Sequence, residues 1–491
     1  MSAAPWYPII YIRGYAGTQG EVEETVADPY MGFNRGSTKL RQLWDRSVVR
    51  HVFESPLVRL MKDYGYADAY ADGTELTGRD AIPWRTVWIY RYYEEVSREL
   101  GSGKRPEIEQ YAEGLGSFLR DIRARICGAS QRARDAFRVY LVAHSMGGLV
   151  ARCWLQNTRL QEEDPVVEEK LFTYATPHRG IDLRLIGNIP RFFQINNAEN
   201  FNEERMRQYL SISSKKVPVH SLDGKFPPER CFSLVGTNAR DYEVAAGLSS
   251  VAVGPMSDGL VRIRNAYIDE APRAFVHRAH SGHFGVVNSE EGYQNLRRFF
   301  FGDLRVDGQL EVEAITLPPK VQRAKDRGSE VRASYHIEVC ANVRDTRWYL
   351  HRRTVDEGSA IIAGYDAMVK ARKPVMLFTQ FLSSAAIVTR SSYMGFSVDL
   401  GVLVPEYSVG GRLLVEDHFE GSYIFRDKLN LFVRTEEGRL RVKYGWDQER
   451  TNAAGETVTL EETDGHWSLS VPVAKEKAPG IRAKLKLTFS A

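Results

Sequence analysis

Several common protein classes are excluded by what this sequence has little of. Only four cysteines occur in 491 residues, Cys127, Cys153, Cys231 and Cys340, and none lies in a CxxC spacing. Neither a disulfide framework nor a cysteine metal cluster is expected, and buried free thiols are the simpler reading. No apolar run approaches the ~20 residues that a membrane-spanning helix needs. The N-terminus, MSAAPWYPIIYIRGYAG, has no basic stretch followed by a long apolar one, so no signal peptide is visible. The chain therefore reads as cytoplasmic, with leaderless export left open. There is no excess of charge either, because 66 basic residues against 63 acidic ones leave +3. That balance gives nucleic acid nothing to bind, and no basic tract suggests an electrostatic anchor. Internal repeats and low-complexity tracts are absent from the sequence.

What is present is an ordinary globular composition, 43% apolar and 26% charged, on a chain too long for one core. Two domains are expected, residues 1–302 and 303–491, with the boundary between Gly302 and Gly308. Up to about residue 300, short apolar runs alternate with helical periodicity, which predicts a mostly parallel sheet covered by helices. The strands are expected at Ile9 to Ile12, Thr86 to Tyr92, Phe137 to Ala143, Leu171 to Ala175, Cys231 to Gly236 and Ala274 to His280. Apolar positions Ile108, Tyr111, Leu115, Leu119, Ile122 and Ile126 recur every three or four residues and predict a helix opened by Pro106. Ser289 to Phe300 closes the unit as an amphipathic helix. Residues 17–83 and 181–228 are too long for simple connections and should carry helices of their own. Phe192 and Phe193 make the second segment a candidate lid, with plain packing on the core as the alternative. After Asp303 the helices stop, and stretches such as QLEVEAITL and IRAKLKLTF predict an antiparallel β-sandwich.

The strongest chemical signal is the strand FRVYLVA running into His144-Ser145-Met146-Gly147-Gly148 and then a helix. A serine exposed on a sharp strand-to-helix turn needs small residues two places before and after it. Ala143 and Gly147 fill those places. The segment AHSMGGLVAR resembles bacterial lipases and related esterases of the α/β-hydrolase superfamily. Motifs in order over roughly residues 8–300 carry that resemblance, including TPHRG at Thr176 to Gly180, read as a structural turn near the site. The family usually has Gly where Ala143 stands.

The resemblance implies an α/β-hydrolase fold with inserted cap or lid segments, followed here by the β-rich domain. Ser145 would be the nucleophile, and the Met146 amide one oxyanion donor. Arg13-Gly14-Tyr15-Ala16-Gly17 is similar to the loop after an early strand that supplies the second donor, which assigns it to Tyr15. A simple glycine turn is the alternative. The order Ser, acid, His in this fold points to Asp258 in Ser257-Asp258-Gly259, ahead of Asp223, Asp241 and Asp269. Two histidines compete as the base. His280 sits at the expected strand end, whereas His283 is nearer the last helix; His280 is preferred. His277 falls within the strand, and His178 belongs to the TPHRG turn.

These residues would hydrolyse an ester, lipid or otherwise hydrophobic, through an acyl-enzyme and without a cofactor. A phospholipase or acyltransferase would use the same three residues, and a non-catalytic scaffold binding through its β domain is the reading from another class. The β domain could meet a lipid interface, or could serve stability or dimerisation.

Overall fold

The computed structural model describes residues 6–14, 19–71, 74–75, 82–160, 165–181, 198–212, 214–241, 256–344, 346–386, 393–410, 416–449 and 456–491. These form two compact units, one of residues up to Arg273 with Arg278–Leu296, the other of Ala274–His277 with Arg297–Ala491.

The first unit holds six strands of a seven-stranded sheet, whose remaining edge strand lies almost wholly in Ala274–His277. The strands of the sheet are β1 (Ile9–Ile12), β4 (Ala67–Asp68), β5 (Thr86–Tyr90), β6 (Arg138–His144), β7 (Val167–Tyr174), β8 (Cys231–Gly236) and β9 (Arg273–Val276). They run in the spatial order β9-β8-β7-β6-β1-β5-β4. The pairings β4–β5, β1–β5, β1–β6, β6–β7 and β7–β8 are all parallel. Parallel strands are covered on both faces, so they read as continuous apolar runs. Accordingly, β1, β5 and β8 are buried at every position. Helix α3 (Ile108–Cys127) turns Ile108, Tyr111, Leu115, Leu119 and Ile122 inward, as its periodicity predicts.

Some bounds differ from the sequence reading. β5 stops at Tyr90, and Tyr92–Glu94 turn into a 3₁₀ helix. β9 stops at Val276, leaving His280 in the loop beyond it. The segment 17–83 carries helices α1 (Gln19–Ala27) and α2 (Pro56–Tyr64), as expected. It also carries an unforeseen antiparallel hairpin, β2 (Ser37–Gln42) with β3 (Val48–Phe53). Phe192 and Phe193, the lid candidates, lie outside the described residues.

The second unit packs a four-stranded sheet and a nine-stranded sheet, whose paired strands run antiparallel throughout the described residues. One core holds Val306, Leu310 and Leu485 from the smaller sheet with Tyr335, Leu400 and Leu429 from the larger, the arrangement of a sandwich. Two short helices, Pro319–Asp326 and Tyr365–Val369, lie between strands where the sequence reading expected no helices. All four cysteines are buried and free. No helix of the described residues is long and apolar enough to cross a membrane.

Candidate active site

The C-terminal end of β6 leads directly into helix α4 (Met146–Gln156), and Ser145 is the residue between them. Its φ is +52°, a conformation that L residues seldom adopt. Close packing enforces it. A Cβ on Gly147 would lie 2.4 Å from the carbonyl oxygens of both Ile12 and Arg13, so β1 and the nucleophile turn can approach only with glycine there. Gly14 presses from the other side, where a Cβ would stand 2.6 Å from Ser145 Cβ. From behind, Thr176 Oγ1 of the TPHRG turn donates to Ser145 O at 3.0 Å.

His280 Nε2 lies 2.9 Å from Ser145 Oγ, and His280 Nδ1 lies 2.8 Å from Asp258 Oδ2. A carboxylate only accepts, so Nδ1 carries the proton and Nε2 accepts from the serine hydroxyl. Ser145, Asp258 and His280 are all buried. Asp258 is held by its own loop, Oδ1 accepting from the amides of Leu260 (3.0 Å) and Val261 (2.7 Å). Its carbonyl accepts from the His280 amide at 2.9 Å, which joins the two loops directly.

His283 takes no part in this chain of hydrogen bonds. Ala279 pairs with residues 284–286 through Ala279 N to Phe284 O (3.2 Å) and Val286 N to Ala279 O (2.9 Å). That tight loop turns His280 inward and leaves His283 exposed. The other aspartates have separate partners. Asp269 contacts Arg179 and His220 at 2.9 and 2.8 Å, Asp241 accepts from Asn238, and Asp223 lies 3.4 Å from Lys225. His178 is buried in its turn against Thr173 Oγ1.

Met146 opens helix α4, directly after Ser145, so its amide has no intrahelical acceptor. Tyr15, the expected second donor, lies outside the described residues. The loop leading to it is anchored by two hydroxyls that sequence reasoning did not single out. Tyr92 donates to Arg13 O at 2.7 Å and Tyr93 to Gly14 O at 2.8 Å. The pair Tyr-Tyr at the end of an apolar strand was the available signal.

His144 was also missed. Its Nε2 donates to His280 O at 2.9 Å, fixing the backbone of the residue bonded to Ser145. Burial first, and the neighbouring His280 second, push its pKa down to about 3, so the ring is neutral. One edge of His144 meets a cavity of about 220 Å³, whose wall also includes Arg13, Phe33, Arg35 and His283.

Helix α4 is pinned by Arg152, which is fully buried. Its guanidinium donates to His178 O (3.2 Å), Val219 O (3.0 Å) and Ser221 O (2.8 Å), and to Gln156 Oε1 (2.8 Å). Desolvation lowers its pKa to about 10, which leaves it charged at neutral pH.

Residues 110–227 match the family described as a PGAP1-like alpha/beta domain, a span holding Ser145 and the TPHRG turn but neither Asp258 nor His280. None of the curated proteins matches the chain. Among solved structures it is similar to the product of gene lin2722 from Listeria innocua, at 12% identity and a TM-score of 0.27, covering 60% of this chain and 94% of that one. It is similar also to phospholipase PlaB from Legionella pneumophila, at 13% identity and a TM-score of 0.33, covering 84% of this chain and 92% of that one. Superpositions so loose carry no weight for function. The parallel sheet, the serine turn at the end of its central strand and the matched domain agree on an α/β-hydrolase fold.

Proposed function

We propose that this protein is a serine ester hydrolase acting through an acyl-enzyme. The observation that carries the reading is the continuous chain Ser145 Oγ–His280–Asp258, at 2.9 and 2.8 Å. His280 Nε2 takes the hydroxyl proton as Ser145 Oγ bonds to the ester carbonyl carbon, and the carbonyl electron pair moves onto oxygen. Asp258 keeps the imidazole oriented and stabilises its charged form. The oxyanion is met by the Met146 amide and, in this proposal, by that of Tyr15; each such donor contributes about 3 kcal/mol. Collapse breaks the bond to the alkoxide, which leaves with the proton from His280. Water, deprotonated by the same nitrogen, then releases the acid and restores Ser145.

The test is hydrolysis of p-nitrophenyl esters from short to long acyl chain, by wild type and Ser145→Ala. Loss of at least ~10³-fold in the variant is expected. Equal rates would overturn the assignment. His280→Ala should lose as much, whereas His283→Ala should retain most of the rate.

A narrower reading, hydrolysis of esters that carry an anionic group such as glycerophospholipids, is favoured by the cavity lined by His144 and Ser281, the sequence neighbours of Ser145 and His280. Arg13 and Arg35 line it and no carboxylate does. Arg35 has Glu24 and Asp28 nearby, whereas Arg13 donates to Met31 O and has no ion pair among the described residues. At about 220 Å³ the cavity suits a head group rather than a whole lipid, since pockets for drug-sized ligands run from ~300 Å³ upward. Arg35→Ala should raise KM for phosphatidylglycerol and leave KM for a neutral monoacylglycerol unchanged.

A further inference from the structure

The hairpin β2–β3 exposes an apolar face that none of the described residues covers. Side chains alternate across a strand, so the cross-strand pairs Thr38–Val52, Leu40–Arg50 and Gln42–Val48 share one side of the ribbon. Every residue on that side is exposed, including Leu40 (61%), Val48 (60%) and Val52 (66%). Trp44 stands at the apex with 96% of its surface in solvent. Of the eleven large hydrophobic side chains exposed among the described residues, five belong to this hairpin. Those of the second unit, Tyr349, Ile362 and Phe432, come from separate parts of the chain.

The apex is an ordered turn. Leu43 N donates to Ser47 O at 2.8 Å, and Asp45 Oδ1 accepts from the Ser47 amide (3.0 Å) and hydroxyl (2.6 Å). Asp45 is the single acid between Ser37 and Phe53, against Lys39, Arg41, Arg46 and Arg50. The chain as a whole is nearly balanced, so a surplus of three positive charges here, four minus one, is local. The hairpin also starts beside the cavity that His144 lines, because Phe33 and Arg35 on the cavity wall lead straight into β2. At its base, Ser37 Oγ donates to Asn288 O at 3.3 Å, on the loop that follows His280.

From this combination we infer that the hairpin docks on an anionic lipid surface, with Trp44 and the Leu40–Val48–Val52 face entering the interface and the basic residues meeting lipid head groups. Tryptophan favours the boundary between water and acyl chains, and Lys and Arg stems lie along apolar surface while their charges reach phosphate. A second copy of the chain fits less well, because a symmetric pairing would set the same basic surplus against itself. The docking would hold the cavity, with Arg13 and Arg35, at the membrane from which an ester is drawn; in that purpose it rests on the ester-hydrolase reading.

The experiment measures partition of the full-length chain onto vesicles by co-sedimentation, using Ser145→Ala protein so that docking and catalysis fail separately. Vesicles of phosphatidylcholine alone are compared with vesicles containing about 30 mol% phosphatidylglycerol, which gives them the negative surface of an anionic leaflet. Binding to the anionic vesicles should exceed that to the neutral ones at least tenfold, and should fall at least tenfold in Trp44→Ala/Val48→Ser. Arg46→Gln/Arg50→Gln, which leaves the apolar face intact, should weaken binding and flatten its salt dependence. Circular dichroism and elution volume, unchanged in the variants, would show that the fold survives. Equal binding to both vesicle types, or equal binding by the variants, would overturn the inference. So would a wild-type dimer that Trp44→Asp converts to monomer, which would give the face to a second copy.

Discussion

Ser145 pays for its position in backbone strain, since a non-glycine residue at φ +52° costs roughly 1–3 kcal/mol. Ser145→Gly and Ser145→Ala should both abolish hydrolysis, yet the glycine variant should melt ~2–4 °C higher for each kcal/mol of strain relieved in a unit of this size. Equal melting temperatures would mean that the turn is unstrained. His144 supplies a second comparison. Its folded-state pKa, about 3, lies below the ordinary 6.5, so the unfolded chain binds the proton first. The stability it contributes is full above pH 6.5 and is lost as pH falls toward 3. Glu168 works the other way, because burial raises its pKa to about 7. The measurement is therefore differential: between pH 7.5 and 5, wild type should lose more urea stability than His144→Gln, and parallel losses would refute the assignment. Ser145 was picked out by local pattern, since a tight turn dictates residue type within a few positions, whereas Asp258 and His280 came from the chain order and loops that the hydrolase resemblance implies. His144 was not picked out, because its role depends on a carbonyl 136 residues away. The choice between His280 and His283 turned on a loop pairing that leaves no mark on the residue types.

At the scale of elements, α4 carries both the nucleophile, immediately before its first residue, and Arg152 about two turns further on. Arg152→Met should lower stability by about 2–5 kcal/mol, because the carbonyls of His178, Val219 and Ser221 would be left buried without a donor. Denaturant titration reads this as a shifted midpoint at constant slope, and an unchanged midpoint would show that water replaces the guanidinium. The core strands were legible because burial on both faces makes them short apolar runs. The end of β9 was not, since Ala274 to His280 is uniformly strand-like while the chain leaves the sheet after Val276. The hairpin β2–β3 escaped for the opposite reason. With its apolar side chains in solvent, it lacks the alternation of a half-buried strand, and Leu43-Trp44 interrupts it where a turn signal should stand.

For the whole molecule, the change of texture near residue 303 pointed to two bodies, and the structure divides the chain into two compact units. Residues Ala274–His277 group with the second unit, which no composition profile could reveal, because their neighbours there are distant in sequence. A chain ended at residue 302 keeps Ser145, Asp258 and His280 but deprives Ala274–His277 of most of that unit. Its hydrolysis of short esters should be at least tenfold weaker than that of the full chain, by initial rates at matched concentration. Equal rates would make the second unit dispensable for catalysis. The guanidinium of Arg152 bears on how such a protein can diversify. It grips His178 O on one side and Val219 and Ser221 O on the other, so the two ends of the intervening stretch are stapled to the nucleophile helix. Lengthening a stretch whose ends are fixed costs only about 0.6 kcal/mol per doubling. Changes of length between these two anchors can therefore be absorbed while Ser145 stays where it is, so the position of the nucleophile does not depend on how much chain separates His178 from Val219.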